Sequence, residues 1–144
     1  MRIHHTVIRV SDMDRSLAYW RDGVGLELLM DGEFEGDWPT LFNVPSRSLR
    51  SVFLGHAGQE GGILELVDFG MPGTREPAGE MPPEGLMLVA FQCAIDPVLE
   101  RLQSMGCAGP LREVTVQSQR GAVRMALLED PNGVRYELTE LMTH

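Results

Sequence analysis

The chain has 144 residues, of which 43% are hydrophobic and 23% charged, a composition that is ordinary for globular proteins and argues against intrinsic disorder. Its 21 acidic residues outnumber its 12 basic residues and give a net charge of −9, so the clustered cations that bind nucleic acids or anionic membranes are not expected. The polar N-terminus and the lack of an apolar run of about 20 residues predict a cytoplasmic protein. Cys93 and Cys107 form no CxxC motif, and we expect two reduced thiols.

The first half of the chain predicts the element order βαβββ. Residues 2–10, RIHHTVIRV, are rich in β-branched types and lead into Ser11-Asp12, which are typical helix N-cap residues. The helix has apolar residues at helical spacing and ends near Gly23 and Gly25. Three further strands are predicted around residues 26–30, 49–55 and 63–69.

The second half predicts the same order after a connection rich in Pro and Gly. Residues 70–85, GMPGTREPAGEMPPEG, have no periodicity and divide the chain into a first module, residues 1–69, and a second module, residues 86–144. In the second module, Asp96 is the predicted N-cap of a helix. The apolar stripe of that helix is predicted to comprise Val98, Leu102 and Met105. Strands are predicted at residues 86–93, 110–116 and 122–128, with a last strand after a turn at EDPNG.

The two halves can be aligned as copies of one unit, HTVIRV…SDMDRSLAYWRDGVG against LVAFQC…AIDPVLERLQSMG. This alignment places His5 of the first copy at the position of Leu88 in the second. A four-stranded sheet with one helix leaves one sheet face uncovered, which a second copy could close. We therefore predict an α+β fold in which two βαβββ modules form a curved mixed sheet around a central cavity.

Strand periodicity gives different indications for two carboxylates. Glu65, in ILELV, shares a strand face with Ile63 and Val67, where a carboxylate is costly to bury without a partner, and this favours a functional role. Glu137 shares its face with polar residues, so periodicity alone predicts a solvated position. His5 follows His4 in a strand, and the pattern alone is equally typical of an ordinary surface histidine.

Further residues are candidates for substrate binding. Arg9 lies four residues after His5, and Gln92 lies four residues after Leu88, so each shares a strand face with that residue. Arg9 would suit a carboxylate or enolate oxygen of a substrate. An arginine at a strand end is, however, commonly a surface residue. Trp38 and Phe42 stand in GEFEGDWPTLFNVP, among turn residues. They could form an aromatic lid over a pocket or pack against a dimer partner.

The segments HHTVIRVSDMDRSLAYWRDGVGLEL, ILELVDF and EDPNGVRYEL resemble the vicinal oxygen chelate superfamily, which contains glyoxalase I, methylmalonyl-CoA epimerase, extradiol dioxygenases and bleomycin resistance proteins. The resemblance implies paired βαβββ modules around a divalent metal, with ligands in the first and last strands of each module. The corresponding positions are His5, Glu65, Leu88 and Glu137. Leu88 departs from the family pattern because an aliphatic side chain cannot bind a metal.

Two functions follow from the resemblance. In the first, His5, Glu65 and Glu137 hold a divalent metal (Mn, Fe, Co, Ni or Zn), and the protein is a lyase or isomerase of a small oxygenated substrate in which one of the two Glu residues moves the proton. In the second, Leu88 marks the loss of the metal, and the protein is a metal-free binding (sequestration or resistance) protein for an aromatic or drug-like metabolite. A ring-cleaving oxygenase is disfavoured because that chemistry uses two His and one Glu in this family. We expect a homodimer, with modules paired within a chain or across the dimer.

Overall fold

The computed structural model describes residues 1–75, 81–82 and 84–142. The chain divides into two compact units, Met1–Thr74 and Arg75–His144. Each unit has a four-stranded mixed sheet with a helix after its first strand, which confirms the α+β class and the two βαβββ modules. The predicted connection, residues 70–85, lies partly outside the described residues, and its bounds stay a prediction. Within the described residues, no helix has both the length and the apolar character needed to cross a membrane.

The first unit has the sheet order β1-β4-β3-β2, with β1 parallel to β4 and the other neighbours antiparallel. Its elements are β1 (His5–Arg9), α1 (Met13–Leu17), a π-helical segment (Ala18–Val24), β2 (Glu27–Glu35), α2 (Trp38–Phe42), β3 (Ser48–Gly55) and β4 (Ile63–Asp68). The short helix α2 was not expected from the sequence.

The predicted start and end of the first helix are confirmed. The Asp12 side chain accepts a hydrogen bond from the backbone N–H of Arg15 at 3.0 Å, as an N-cap does. The chain then widens into a π-helix that ends at Gly25, which has a φ of 96° and donates its N–H to the Trp20 carbonyl at 3.2 Å. Trp20 is fully buried in the core on the helix side of the sheet.

The second unit has the equivalent sheet order β5-β8-β7-β6, with β5 parallel to β8. Its elements are β5 (Val89–Gln92), α3 (Ile95–Ser104), β6 (Arg112–Ser118), β7 (Gly121–Glu129) and β8 (Arg135–Met142). The turn predicted at EDPNG precedes β8. There, the buried Asp130 carboxylate accepts the backbone N–H groups of Asn132 at 2.9 Å and Val134 at 2.8 Å.

Two details of α3 differ from the prediction. The N-cap is Ala94 rather than Asp96, because the Asp96 carboxylate bonds to the Arg124 guanidinium at 2.5 Å instead of to its own helix. Met105 is exposed because the helix ends at Ser104, before the residue could turn to the core. The buried face of the helix comprises Ile95, Val98 and Leu102.

The strand register reproduces the internal alignment residue by residue. In each unit, the parallel strand pair sets a Glu of the last strand opposite a small apolar residue of the first strand. Matched positions, first unit before second, are Glu65 and Glu137, Val7 and Ala90, and, two residues earlier, His5 and Leu88. The two carboxylates therefore occupy equivalent sites, and the second unit lacks a histidine at the position of His5.

Candidate functional site

The uncovered face of the first sheet forms a cavity of about 660 Å³. This volume is within the range of small-molecule sites, about 300–1,000 Å³. Strand alternation places every second side chain of the four strands on this face, and α2 with the segment after it closes one side. The lining residues are His5, Val7, Arg9, Met30, Phe34, Trp38, Phe42, Val44, Leu49, Ser51, Phe53, Glu65, Val67 and Phe69.

Glu65 is the carboxylate on this mostly apolar face, and its side chain is only 13% exposed. One carboxylate oxygen, Oε1, accepts a hydrogen bond of 2.6 Å from Oγ of the buried Ser51. The other oxygen, Oε2, lies 3.2 Å from Nε2 of His5. Both oxygens thus have polar partners, which offsets the cost of withdrawing the group from water.

His5 is held in a defined orientation by its neighbours. Its Nδ1 lies 2.8 Å from Nδ1 of His4, and its ring stacks on Phe53 with centroids 5.7 Å apart. Since one of the two Nδ1 atoms must carry the proton of this hydrogen bond, Nδ1 of His5 is engaged and Nε2 faces Glu65. The result is a His–Glu pair in a fixed arrangement at one end of the cavity.

His5 and Glu65 fit a divalent transition metal in donor type and in spacing. Imidazole nitrogen and carboxylate oxygen are ligands for such ions. Two donors that each lie about 2.1 Å from one ion are about 3.0 Å apart in octahedral and about 3.4 Å apart in tetrahedral coordination; the observed separation is 3.2 Å. Across the part of the chain that the structure describes, no group of three His, Cys, Asp or Glu side chains is arranged to hold an ion.

Trp38 and Phe42 lie in the cavity wall. The Trp38 indole donates to the Phe34 carbonyl at 3.2 Å, and the Trp38 and Phe42 rings stack with centroids 5.9 Å apart. The Phe42 and Phe69 rings pack edge to face, with centroids 5.8 Å apart. The sequence signal for α2 is a cap residue, Asp37, followed by a proline, Pro39, in the first turn of the helix. A helix of five residues is too short to show a hydrophobic periodicity.

Arg9 also lies on the cavity face. Its Nη2 donates to the Pro72 carbonyl at 3.2 Å, and its guanidinium lies 5.6 Å from the centre of the Phe69 ring. None of the described residues forms an ion pair with Arg9. The remaining N–H groups of the guanidinium can therefore bind an anionic group.

In the second unit, Leu88 and Glu137 line a smaller pocket of about 230 Å³. The positions equivalent to Ser51 and Phe53 of the first unit are taken by Met125 and Leu127. Glu137 therefore has neither the hydroxyl nor the imidazole that hold Glu65, and it makes no hydrogen bond or ion pair with another described residue. Gln92 ends β5 and is exposed.

Ser51 could not be recognised from the sequence as a site residue. A lone serine in RSVFLG has no distinguishing spacing. Its role comes from the pairing of β3 with β4, which sets Ser51 opposite Val67 and thereby next to Glu65 on the same face. The signal is a cross-strand register, and register depends on the folded sheet.

The sequence model of the Glyoxalase/Bleomycin resistance protein/Dioxygenase superfamily matches residues 2–138. The chain belongs to this superfamily. The resemblance inferred from the three motifs is confirmed, and a glyoxalase-like function is supported at the level of the superfamily. Superfamily members commonly use divalent metals and bind small molecules.

A relative and two solved structures illustrate this membership. The lactoylglutathione lyase-like protein terB of Aspergillus terreus is 31% identical over 144 residues, which cover 92% of this chain and 72% of the relative. A glyoxalase family protein from Bacillus cereus has a TM-score of 0.76 at 23% identity, over 99% of this chain and 95% of that chain. An antibiotic-binding protein from Streptomyces has a TM-score of 0.59 at 23% identity, over 99% and 97%. These two structural similarities show a shared fold.

Proposed function

We propose that this protein is a lyase or isomerase that acts on a small oxygenated substrate whose apolar part occupies the cavity of the first unit. The observation that carries the proposal is the His5–Glu65 pair, oriented by Ser51, on an otherwise apolar face. A pocket that only sequestered an apolar molecule would gain nothing from an enclosed carboxylate, which is costly to remove from water.

We propose that His5 and Glu65 of the first unit hold the metal, as their donor types and 3.2 Å separation support; a ligand role for Glu137 stays a prediction from the family resemblance. Imidazole and carboxylate ligands suit Mn, Fe, Co, Ni or Zn and leave positions open for substrate or water. A bound cation would polarise a substrate oxygen and lower the energy of the enolate form.

The proposed roles of the other residues follow from their contacts. Both oxygens of Glu65 have polar partners, Ser51 at Oε1 and His5 at Oε2, so we assign Glu65 to the metal. Arg9 would bind an anionic oxygen of the substrate, and Trp38 and Phe42 would stack on its apolar part.

The test is proton exchange at the carbon next to the substrate carbonyl, measured by NMR in D₂O. Because a relative is described as a lactoylglutathione lyase-like protein, the first probe is S-lactoylglutathione, and the second is S-mandeloylglutathione, which adds an aromatic ring to match the cavity wall. We expect the protein, incubated with each candidate metal in turn, to accelerate the exchange, and Glu65→Gln to lose about 100-fold or more of the acceleration. Glu33→Gln, an exposed carboxylate of β2, is the matched control. The proposal fails if the protein accelerates exchange of neither probe with any of the metals.

A second candidate is a metal-free binding protein, favoured by the aromatic wall of the first cavity and by Leu88 in the second unit. This candidate differs from the enzyme in the effect that it predicts for Glu65→Gln. For an aromatic probe such as 1-naphthol, a sequestering pocket should keep its Kd within about twofold in Glu65→Gln, while Phe42→Ala should weaken binding by about tenfold. Loss of divalent-metal binding in Glu65→Gln would favour the enzyme instead.

A further inference from the structure

The pocket of the second unit contains two guanidinium groups. Its lining includes Arg112 from β6, Arg135 and Glu137 from β8, and an apolar wall that includes Met87, Leu88 and Leu127. This combination of two cations with an apolar wall differs from the cavity of the first unit, which is mostly apolar and aromatic.

The strand register brings the charged groups onto one face. Arg112 lies opposite Leu127, and Leu127 lies opposite Glu137, so these three side chains form a row across β6, β7 and β8. Arg135 precedes Glu137 by two residues and shares its face. Neighbouring strands lie about 4.8 Å apart, and two residues along a strand span about 6.8 Å, so long arginine side chains from both positions can reach one small ligand.

Neither guanidinium is committed to a partner within residues 1–75, 81–82 and 84–142. Arg112 and Arg135 make no hydrogen bond or ion pair with another described residue. The nearby Glu113 is already engaged by Arg124, whose Nη2 lies 3.0 Å from its Oε2. Glu137 is the other anion among the described lining residues.

The internal repeat shows that the fold does not require these arginines. Arg112 pairs with Leu127 as Met30 pairs with Phe53 in the first unit, and Arg135 precedes Glu137 as Ile63 precedes Glu65. The equivalent residues of the first unit are thus Met and Ile. The second unit has gained two cations on a sheet face where the same architecture is stable with apolar side chains.

We propose that this pocket binds a small organic carboxylate, with Arg112 and Arg135 on the carboxylate and its apolar part against Met87, Leu88 and Leu127. Guanidinium groups bind carboxylates through paired hydrogen bonds. The apolar wall favours an organic anion, since it has no function toward a bare inorganic ion such as phosphate. The proposal uses no residue of the first unit, so it can fail while the reaction proposed for the first cavity stands.

The test uses benzoate as the probe and benzamide as its neutral counterpart of the same shape. Met87 and Met125 line the pocket, so their ¹³C-labelled methyl signals in NMR spectra report occupancy directly, and the exposed Met105 serves as an internal reference. We expect benzoate to shift both pocket methyl signals in a saturable way, with benzamide and the Met105 signal giving no such shift. The same titration in Glu65→Gln should be unchanged, which separates this site from the proposed reaction.

Variants taken from the repeat test the arginines. Arg112→Met and Arg135→Ile install the residues of the first unit, and each should weaken benzoate binding at least about fivefold. Arg135→Lys keeps the charge without the planar fork and should recover only part of that loss. Arg120→Met, in the exposed turn between β6 and β7, is the matched control. A thermal melt of each variant checks that it is folded.

Four results would overturn the proposal. The first is benzoate binding of equal strength in a folded variant that combines Arg112→Met with Arg135→Ile, and the second is equal binding of benzamide by the native protein. The third is inorganic phosphate shifting the same signals at a lower concentration than benzoate, which would indicate a bare-anion site. The fourth is the absence of any shift with benzoate.

Discussion

Glu65 and Glu137 occupy equivalent positions in the two units but have different surroundings. Glu65 accepts a hydrogen bond from Ser51 and faces His5, whereas the second unit has Met125 and Leu88 in the places of those two residues. One repeated position has thus produced a restrained carboxylate in one copy and an unrestrained one in the other. This difference is the physical basis for assigning the metal to Glu65.

Ser51 is expected to tune the metal affinity of Glu65 without binding the metal itself. Removing its hydroxyl in Ser51→Ala leaves one oxygen of a mostly enclosed carboxylate without a partner, so metal affinity should fall about 10- to 100-fold. Calorimetric titration with Mn²⁺ or Zn²⁺ measures the change. Ser48→Ala, on the same strand, is the control, and equal affinities in both variants would show that Ser51 does not position Glu65.

At the scale of single elements, hydrophobic periodicity and cap residues carried most of the correct predictions. Strands with β-branched runs and the Asp12 cap are encoded locally, so they can be derived from neighbouring residues. Helix α2 has too few residues to show a period, and the start of α3 depends on Asp96 bonding to Arg124 of a distant strand. The failures occur where the deciding contact is not local.

The ladder between β2 and β3 contains an ion pair with a pH-dependent effect. The Arg50 guanidinium, through its hydrogen bonds to Asp31, lowers the pKa of that carboxyl below its usual value. Because the carboxyl binds its proton more weakly in the folded state than in the unfolded state, the pair stabilises the protein above about pH 4, and this contribution disappears as the pH falls through the folded pKa.

Asp31→Asn should therefore lower the free energy of unfolding at pH 7 by less than about 1 kcal/mol, since both side chains are partly in water. Urea denaturation of the variant and the native protein at pH 7 and at pH 2 measures the difference. The difference should be smaller at pH 2 than at pH 7. A difference that persisted or grew at low pH would contradict the assigned direction of the pKa shift.

For the whole molecule, the internal repeat is the feature that the sequence predicts best. Aligning the two halves matched His5 with Leu88, and the register of both sheets gives the same correspondence. Ser51, Arg112 and Arg135 could not be found in this way, because their importance depends on which side chains the neighbouring strands bring beside them. A repeat alignment thus identifies equivalent positions, whereas the chemistry of each position requires the folded sheet.

The most direct test of the central claim is the metal content of tag-free protein purified without chelators, measured by elemental analysis together with Glu65→Gln and Leu88→His. If His5 and Glu65 hold a metal, the native protein should contain about one equivalent of a transition metal, and Glu65→Gln should lose it. Native protein that contains no metal and takes none up from Mn²⁺, Co²⁺, Ni²⁺ or Zn²⁺, while Leu88→His acquires one, would contradict the claim. That outcome would show that the scaffold can hold a metal and that this protein functions without one.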